Sequence, residues 1–152
     1  MFDQIALKST TFQIAFCGPV LDESYSKRFL AEIEQRSWAS YLGAIPAEAM
    51  ASAMRSADVI LNNSQTEGLA NTLLEAATLG IPILASNIPG NAAVVKHDSN
   101  GLLYDNEAEF VQYALQLLAL ERRQRLTCPD PNRYNSDKET AELISILLEA
   151  VK

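Results

Sequence analysis

Glu67 and Glu75 stand eight positions apart in SQTEGLANTLLEAATLG, residues 64–80, the first beside Gly68 and the second between Leu73-Leu74 and Ala76-Ala77. A carboxylate inside so apolar a segment is costly unless it faces water or a partner. Helical spacing resolves the conflict. Asn71 and Glu75 are four apart and share one face, while Leu73, Leu74 and Ala77 turn toward a core. Glu75 can then accept hydrogen bonds from paired hydroxyls with its two oxygens. The helix that holds it opens at NNSQTEGLANT, where unpaired amides and the positive end of the helix dipole favour an anion such as phosphate. Gly68 lets main chain approach that anion, and Glu67 faces whatever hangs from it.

A scaffold must bring these residues to one place. TFQIAFCG (residues 11–18), SWASYLGAIP (37–46), ADVILNNS (57–64), IPILAS (81–86) and GLLY (101–104) read as five strands. Helical patterns alternate with them, from Asp22 to about Arg36, from Pro46 onward, through Glu75, and as one long amphipathic helix over EAEFVQYALQLLALERRQRL. A last helix is expected at about 137–151, beyond the loop TCPDPNRYNSDK. NIPGN at 87–91 reads as a tight turn lining the strand ends. Such alternation predicts a doubly wound α/β domain, a parallel sheet covered on both faces, spanning 1–152 as one unit. Ligands of these sheets bind beyond the carboxyl ends of the strands, which is where NNSQTEGLANT falls.

Composition narrows the function. With 152 residues, 12 Lys+Arg against 19 Asp+Glu and a formal charge of −7, the chain suits one soluble domain and does not suit nucleic acid. Its two cysteines, Cys17 and Cys128, have no metal or disulfide spacing, so a reducing cytoplasm is expected, with Cys17 as a core thiol. No basic-then-apolar leader opens the chain and no run reaches the length of a membrane span. His97, the only histidine, lacks neighbours at ligand spacing and reads as a surface residue, and Glu121 to Arg125 as a solvated helix end. A dinucleotide-binding dehydrogenase is excluded because no GxGxxG follows the first strand.

The pattern S-x-x-E-G-x-x-N-x-x-x-E-A-x-x-x-G-x-P-x-x-A, from Ser64 onward, resembles the retaining group 1 glycosyltransferases. The likeness runs from Ala57 to about Tyr104, extends to YLGAIPAEAMASAMRSA, and is nearest in look to the glycosyltransferase 1 domain-containing type through IPGNAAVVKH. The resemblance implies a GT-B architecture, two Rossmann-like halves facing across a cleft, with this chain as the C-terminal half that holds a nucleotide diphosphate sugar. The acceptor-binding half is then a missing partner, and the isolated face invites self-association. By the same resemblance Glu75 binds the ribose hydroxyls and Glu67, the catalytic-centre carboxylate, binds those of the sugar. Gly68, Leu69 and Ala70, with Asn71 and Thr72, hold sugar and diphosphate, and Ala44 and Ile45 lie near the base. The family needs no metal and no further cofactor, in keeping with the absence of an Asp-x-Asp pair. Three positions depart from it. Pro19 stands where an arginine is usual, Lys27 is not at the place of the usual lysine, and the loss of two cations weakens leaving-group stabilisation. Ala70 replaces a frequent proline at what reads as helix position N1. A non-catalytic sugar-nucleotide-sensing or interaction module is the alternative, and the Pro19 departure is its best support.

Overall fold

A computed structural model describes residues 1–126. The expected helix at 137–151, the loop before it and Cys128 lie outside the described residues. Strands β1 (Ile14–Phe16), β2 (Ala39–Tyr41), β3 (Ile60–Asn62), β4 (Ile83–Ser86) and β5 (Gly101–Tyr104) alternate with helices α2 (Glu23–Glu34), α3 (Ala47–Arg55), α4 (Asn71–Thr78), α5 (Pro89–Ala92) and α6 (Glu107–Leu117). A short α1 (Phe2–Ala6) precedes them and α7 (Leu120–Arg125) follows. All strand pairs are parallel, in the orders β1-β2 and β3-β4-β5. The single ladder expected from the alternation is thus divided in two. Strands of three residues offer few ladder bonds, and β3 makes its own on the β4 side, Ile60 N donating to Pro82 O at 2.9 Å just outside the paired segment.

Side chains alternate across β4 and β5 as the pleat requires. Leu84, Leu102 and Tyr104 join Phe110, Val111 and Leu117 of α6 and Ile5 of α1 in one core layer. Ile83 and Ala85 join Leu73, Ala76 and Ala77 of α4, with Val94 and Val95 beyond α5, in the other. This is the three-layer α/β/α arrangement with helices on both sides of the central strands. Leu73 and Ala76 are wholly buried, so α4 is pressed onto the sheet by its apolar face while Asn71, Thr72 and Glu75 stay exposed.

Helix ends follow local chemistry. Asp22 caps α2 by accepting from Tyr25 N at 2.8 Å, and that amide, with the Ser24 hydroxyl, holds its carboxyl below the usual range. Asn106 caps α6 by accepting from Glu109 N at 3.0 Å, and Glu109 reaches back to Asp105 N at 2.9 Å. Three expectations are corrected. The long helix breaks at Leu118-Ala119, where Arg123 of α7 donates to Leu117 O and Leu118 O at 2.8 Å each and so satisfies carbonyls that end α6. NIPGN is not a simple turn, because Pro89 opens the short helix α5 after Ile88. Cys17 is exposed and free: it follows inward-facing Phe16 on a strand whose alternate side chains point out.

Candidate functional site

Because the strands are parallel within each sheet, the segments leaving β1, β2 and β3 emerge at carboxyl ends, as the ligand rule for this fold class requires. The first two are tied together. Gly18 N donates to Gly43 O at 2.9 Å, and the Tyr41 hydroxyl donates to Gly18 O at 2.6 Å. Both glycines have positive φ, 146° and 75°, which L side chains rarely adopt, so glycine is required at these crossings. Ala44 and Ile45 follow Gly43, the first exposed and the second half-buried. Pro19 is exposed in the segment after β1, and Lys27 is exposed on α2.

The segment after β3 leads through Glu67, Gly68 and Leu69 into α4. Ala70 is the N-cap, with extended backbone, and no side chain caps the helix. Ala70 O receives Leu73 N and Leu74 N, at 2.9 and 3.1 Å, which leaves the earlier amides aimed out of the helix end. Ala70 is therefore N-cap and not N1, and Asn71 occupies N1. Gly68 and Leu69 are exposed, and Ala70 is buried. Glu75, one turn further along, is exposed on the same face as Asn71.

Glu67 is held from below by residues that spacing did not single out. Its Oε1 accepts from Ser64 Oγ at 2.7 Å and is approached by Asn62 Nδ2 at 3.5 Å. Asn62 Oδ1 in turn accepts from Ser64 N at 2.9 Å and from Asn91 Nδ2 at 3.2 Å. Asn91 is fully buried, and Ser86 Oγ donates to Ser64 O at 2.7 Å. Next to Glu67 lies Gly90, where a Cβ would come within 2.4 Å of Glu67 O. The sequence signal for this support was the polar residue ending each strand, Asn62 and Ser86, and the glycine of NIPGN. Tyr104 adds a brace, its hydroxyl donating to Asn63 Oδ1 at 2.6 Å, and its burial pushes the phenol up to about 12.

Other polar groups are placed elsewhere. His97 is a structural acceptor, its Nδ1 receiving Leu103 N at 3.0 Å and its ring meeting Tyr113 edge-on. A hollow of about 340 Å³ lined by Thr10, Thr11, Phe12, Gln13, Ser37 and Trp38 lies at the amino ends of β1 and β2. Among the described residues no helix is long and apolar enough to cross a membrane.

The Rossmann-like half-fold defines a class, and known proteins share it. The family model "Glycosyl transferases group 1" matches residues 2–131, and the chain belongs to that family. It is 29% identical over 143 residues to glycosyltransferase 1 domain-containing protein 1 of Xenopus tropicalis, covering 94% of this chain and 41% of that relative. Its fold is similar to that of Anabaena HepE in complex with UDP-glucose, with a TM-score of 0.78 at 16% identity, covering 97% of this chain and 43% of HepE. It is also similar to the pneumococcal O-GlcNAc transferase GtfA in complex with UDP and GlcNAc, with a TM-score of 0.68 at 18% identity, covering 82% of this chain and 26% of GtfA. The chain thus spans less than half the length of these relatives, as one Rossmann-like half of a GT-B fold does.

Proposed function

We propose that residues 1–152 form the donor-binding domain of a retaining, metal-independent glycosyltransferase, and that the chain takes a nucleotide diphosphate sugar. The observation that carries this reading is the uncapped opening of α4, with Glu67 fixed on one side of it and Glu75 on its exposed face. The diphosphate sits at the amides of Gly68, Leu69, Ala70, Asn71 and Thr72, where dipole and N–H groups stabilise both bound donor and departing diphosphate. Glu75 accepts from the ribose hydroxyls, Glu67 from the sugar, and Ala44 and Ile45 border the base. Transfer to an acceptor needs the acceptor-binding half, which contributes groups this chain does not have. UDP sugars are the first donors to test, because HepE and GtfA are described with UDP-glucose and with UDP and GlcNAc. The exposed thiol of Cys17 suits a reducing cytoplasm.

Calorimetry with UDP, GDP and their sugars tests the proposal. Binding of one nucleotide sugar is expected, with Glu75→Ala weakening it by at least about tenfold, the scale of a charge-assisted hydrogen bond. The absence of heat with every nucleotide would support the second reading, an interaction module on the same fold. Pro19 favours that reading, because it takes the place of a cation beside the diphosphate.

A further inference from the structure

Asn91 is fully buried, yet it makes its hydrogen bonds with one end only. Its Nδ2 faces three acceptors, Asn62 Oδ1 at 3.2 Å, Ser86 O at 3.0 Å and Ser86 Oγ at 3.0 Å, while its Oδ1 has no partner among the described residues. The orientation is fixed by this neighbourhood. Turning the amide would set oxygen against Asn62 Oδ1 and Ser86 O, and Ser86 Oγ has its hydrogen committed to Ser64 O. A buried acceptor left unpaired is unfavourable, and a core position could be filled by an apolar residue without that penalty.

What the arrangement achieves lies one bond further on. With Asn91 Nδ2 and Ser64 N both directed at Asn62 Oδ1, the Asn62 amide has one permitted orientation, and its Nδ2 must point to Glu67 Oε1. Ser86 Oγ holds the Ser64 carbonyl, and the Ser64 hydroxyl donates to the same Oε1. Both donors therefore meet one carboxylate oxygen and leave Oε2 for a ligand. Gly90, the neighbour of Asn91 in α5, sets the main chain of Glu67 by direct contact.

We infer that Asn91 and Gly90 are positioning residues for Glu67: α5 aims the Glu67 carboxylate through Asn62 and Ser64. Nothing in the aiming depends on a ligand, but its use, fixing the donor's sugar, rests on the donor-binding reading above. Asn91→Asp tests it at constant shape. A carboxylate at this position repels Asn62 Oδ1 and Ser86 O, so the Asn62 amide is displaced and its donation to Glu67 weakens. In the ligand-free chain, the side-chain amide resonances of Asn62 and the carboxylate ¹³C resonance of Glu67 are expected to move together, while that of Glu75 stays in place. Ser86→Ala, a milder change that frees the Ser64 carbonyl, is expected to move the Glu67 signal too, and it serves if the aspartate variant does not fold. An unmoved Glu67 resonance in a folded variant overturns the inference. Calorimetry then addresses the use: UDP is expected to bind the Ser86→Ala variant within about twofold of wild type, and UDP-glucose about tenfold more weakly. A shifted Glu67 resonance with unchanged UDP-glucose affinity would uphold the aiming and refute the sugar contact.

Discussion

At the scale of single residues, two glycines beside Glu67 separate stability from binding. A methyl group at Gly90 would press on the Glu67 carbonyl oxygen and carbon and on its Cβ, at 2.4 to 2.8 Å, and the main-chain carbonyl cannot swing aside. Gly90→Ala is expected to cost about 1–3 kcal/mol, as overpacking does, and to be visible as a lower denaturation midpoint. At Gly68 a Cβ meets nothing within 4 Å and φ is not in the positive region, so Gly68→Ala should change stability by less than about 0.5 kcal/mol. The proposed donor site makes the opposite demand. If the diphosphate rests on the Gly68 amide, the added methyl stands in its approach, and nucleotide-sugar affinity should fall while the denaturation curve stays put. A Gly68→Ala variant with wild-type affinity would move the diphosphate away from this amide.

At the scale of elements, the capping of α6 and the bracing of β5 lend themselves to measurement. Asn106→Ala removes the acceptor for Glu109 N and is expected to cost about 1 kcal/mol of stability. Tyr104 predicts a response to alkali. Its folded pKa, pushed up to about 12 by burial, lies above the unfolded value of 10.0, so the folded chain keeps a proton that the unfolded chain releases. The contribution is whole below pH 10 and is lost as pH rises toward 12. Denaturation midpoints should fall across that window, and Tyr104→Phe should flatten the slope. Elements with a clear local pattern were legible from sequence: β5 coincides with GLLY, and α2 follows Asp22, where the helical pattern was expected to begin. Those set by tertiary contact were not. α1 has five residues and is held by contacts distant in sequence, Arg36 to Asp3 at 2.9 Å and the Met1 amine to Glu107 at 2.7 Å. The break between α6 and α7 depends on where Arg123 folds back, which periodicity does not encode. At the candidate site, Glu67, Gly68 and Glu75 were singled out from sequence because they are neighbours along one segment. Asn62, Ser86 and Asn91 were not, since their partnership exists only once β3, β4 and α5 meet.

At the scale of the molecule, the edge that carries the proposed donor site also exposes several large apolar side chains. Val20 and Leu21 after β1, Leu42 after β2 and Leu69 after β3 are exposed by 51, 90, 57 and 51%. Exposed leucines thus recur in the three successive segments that leave β1, β2 and β3. In a two-half enzyme this edge would look onto the other half, and the chain spans 41 to 43% of two of its relatives. Alone, it is left to face water or a second copy. Two forces oppose each other there: apolar burial draws copies together, and a net charge of −7 on each drives them apart. Charge repulsion is screened over about 10 Å at 0.1 M salt, so association should strengthen from low to moderate ionic strength. Sedimentation across a concentration series is expected to show reversible dimers at moderate salt. Leu21→Glu together with Leu42→Glu should abolish them without altering the fold, because both side chains already stand in solvent. A single monomeric species at every concentration and salt would mean that these leucines are too dispersed to form a face, and that the edge is built for a ligand alone.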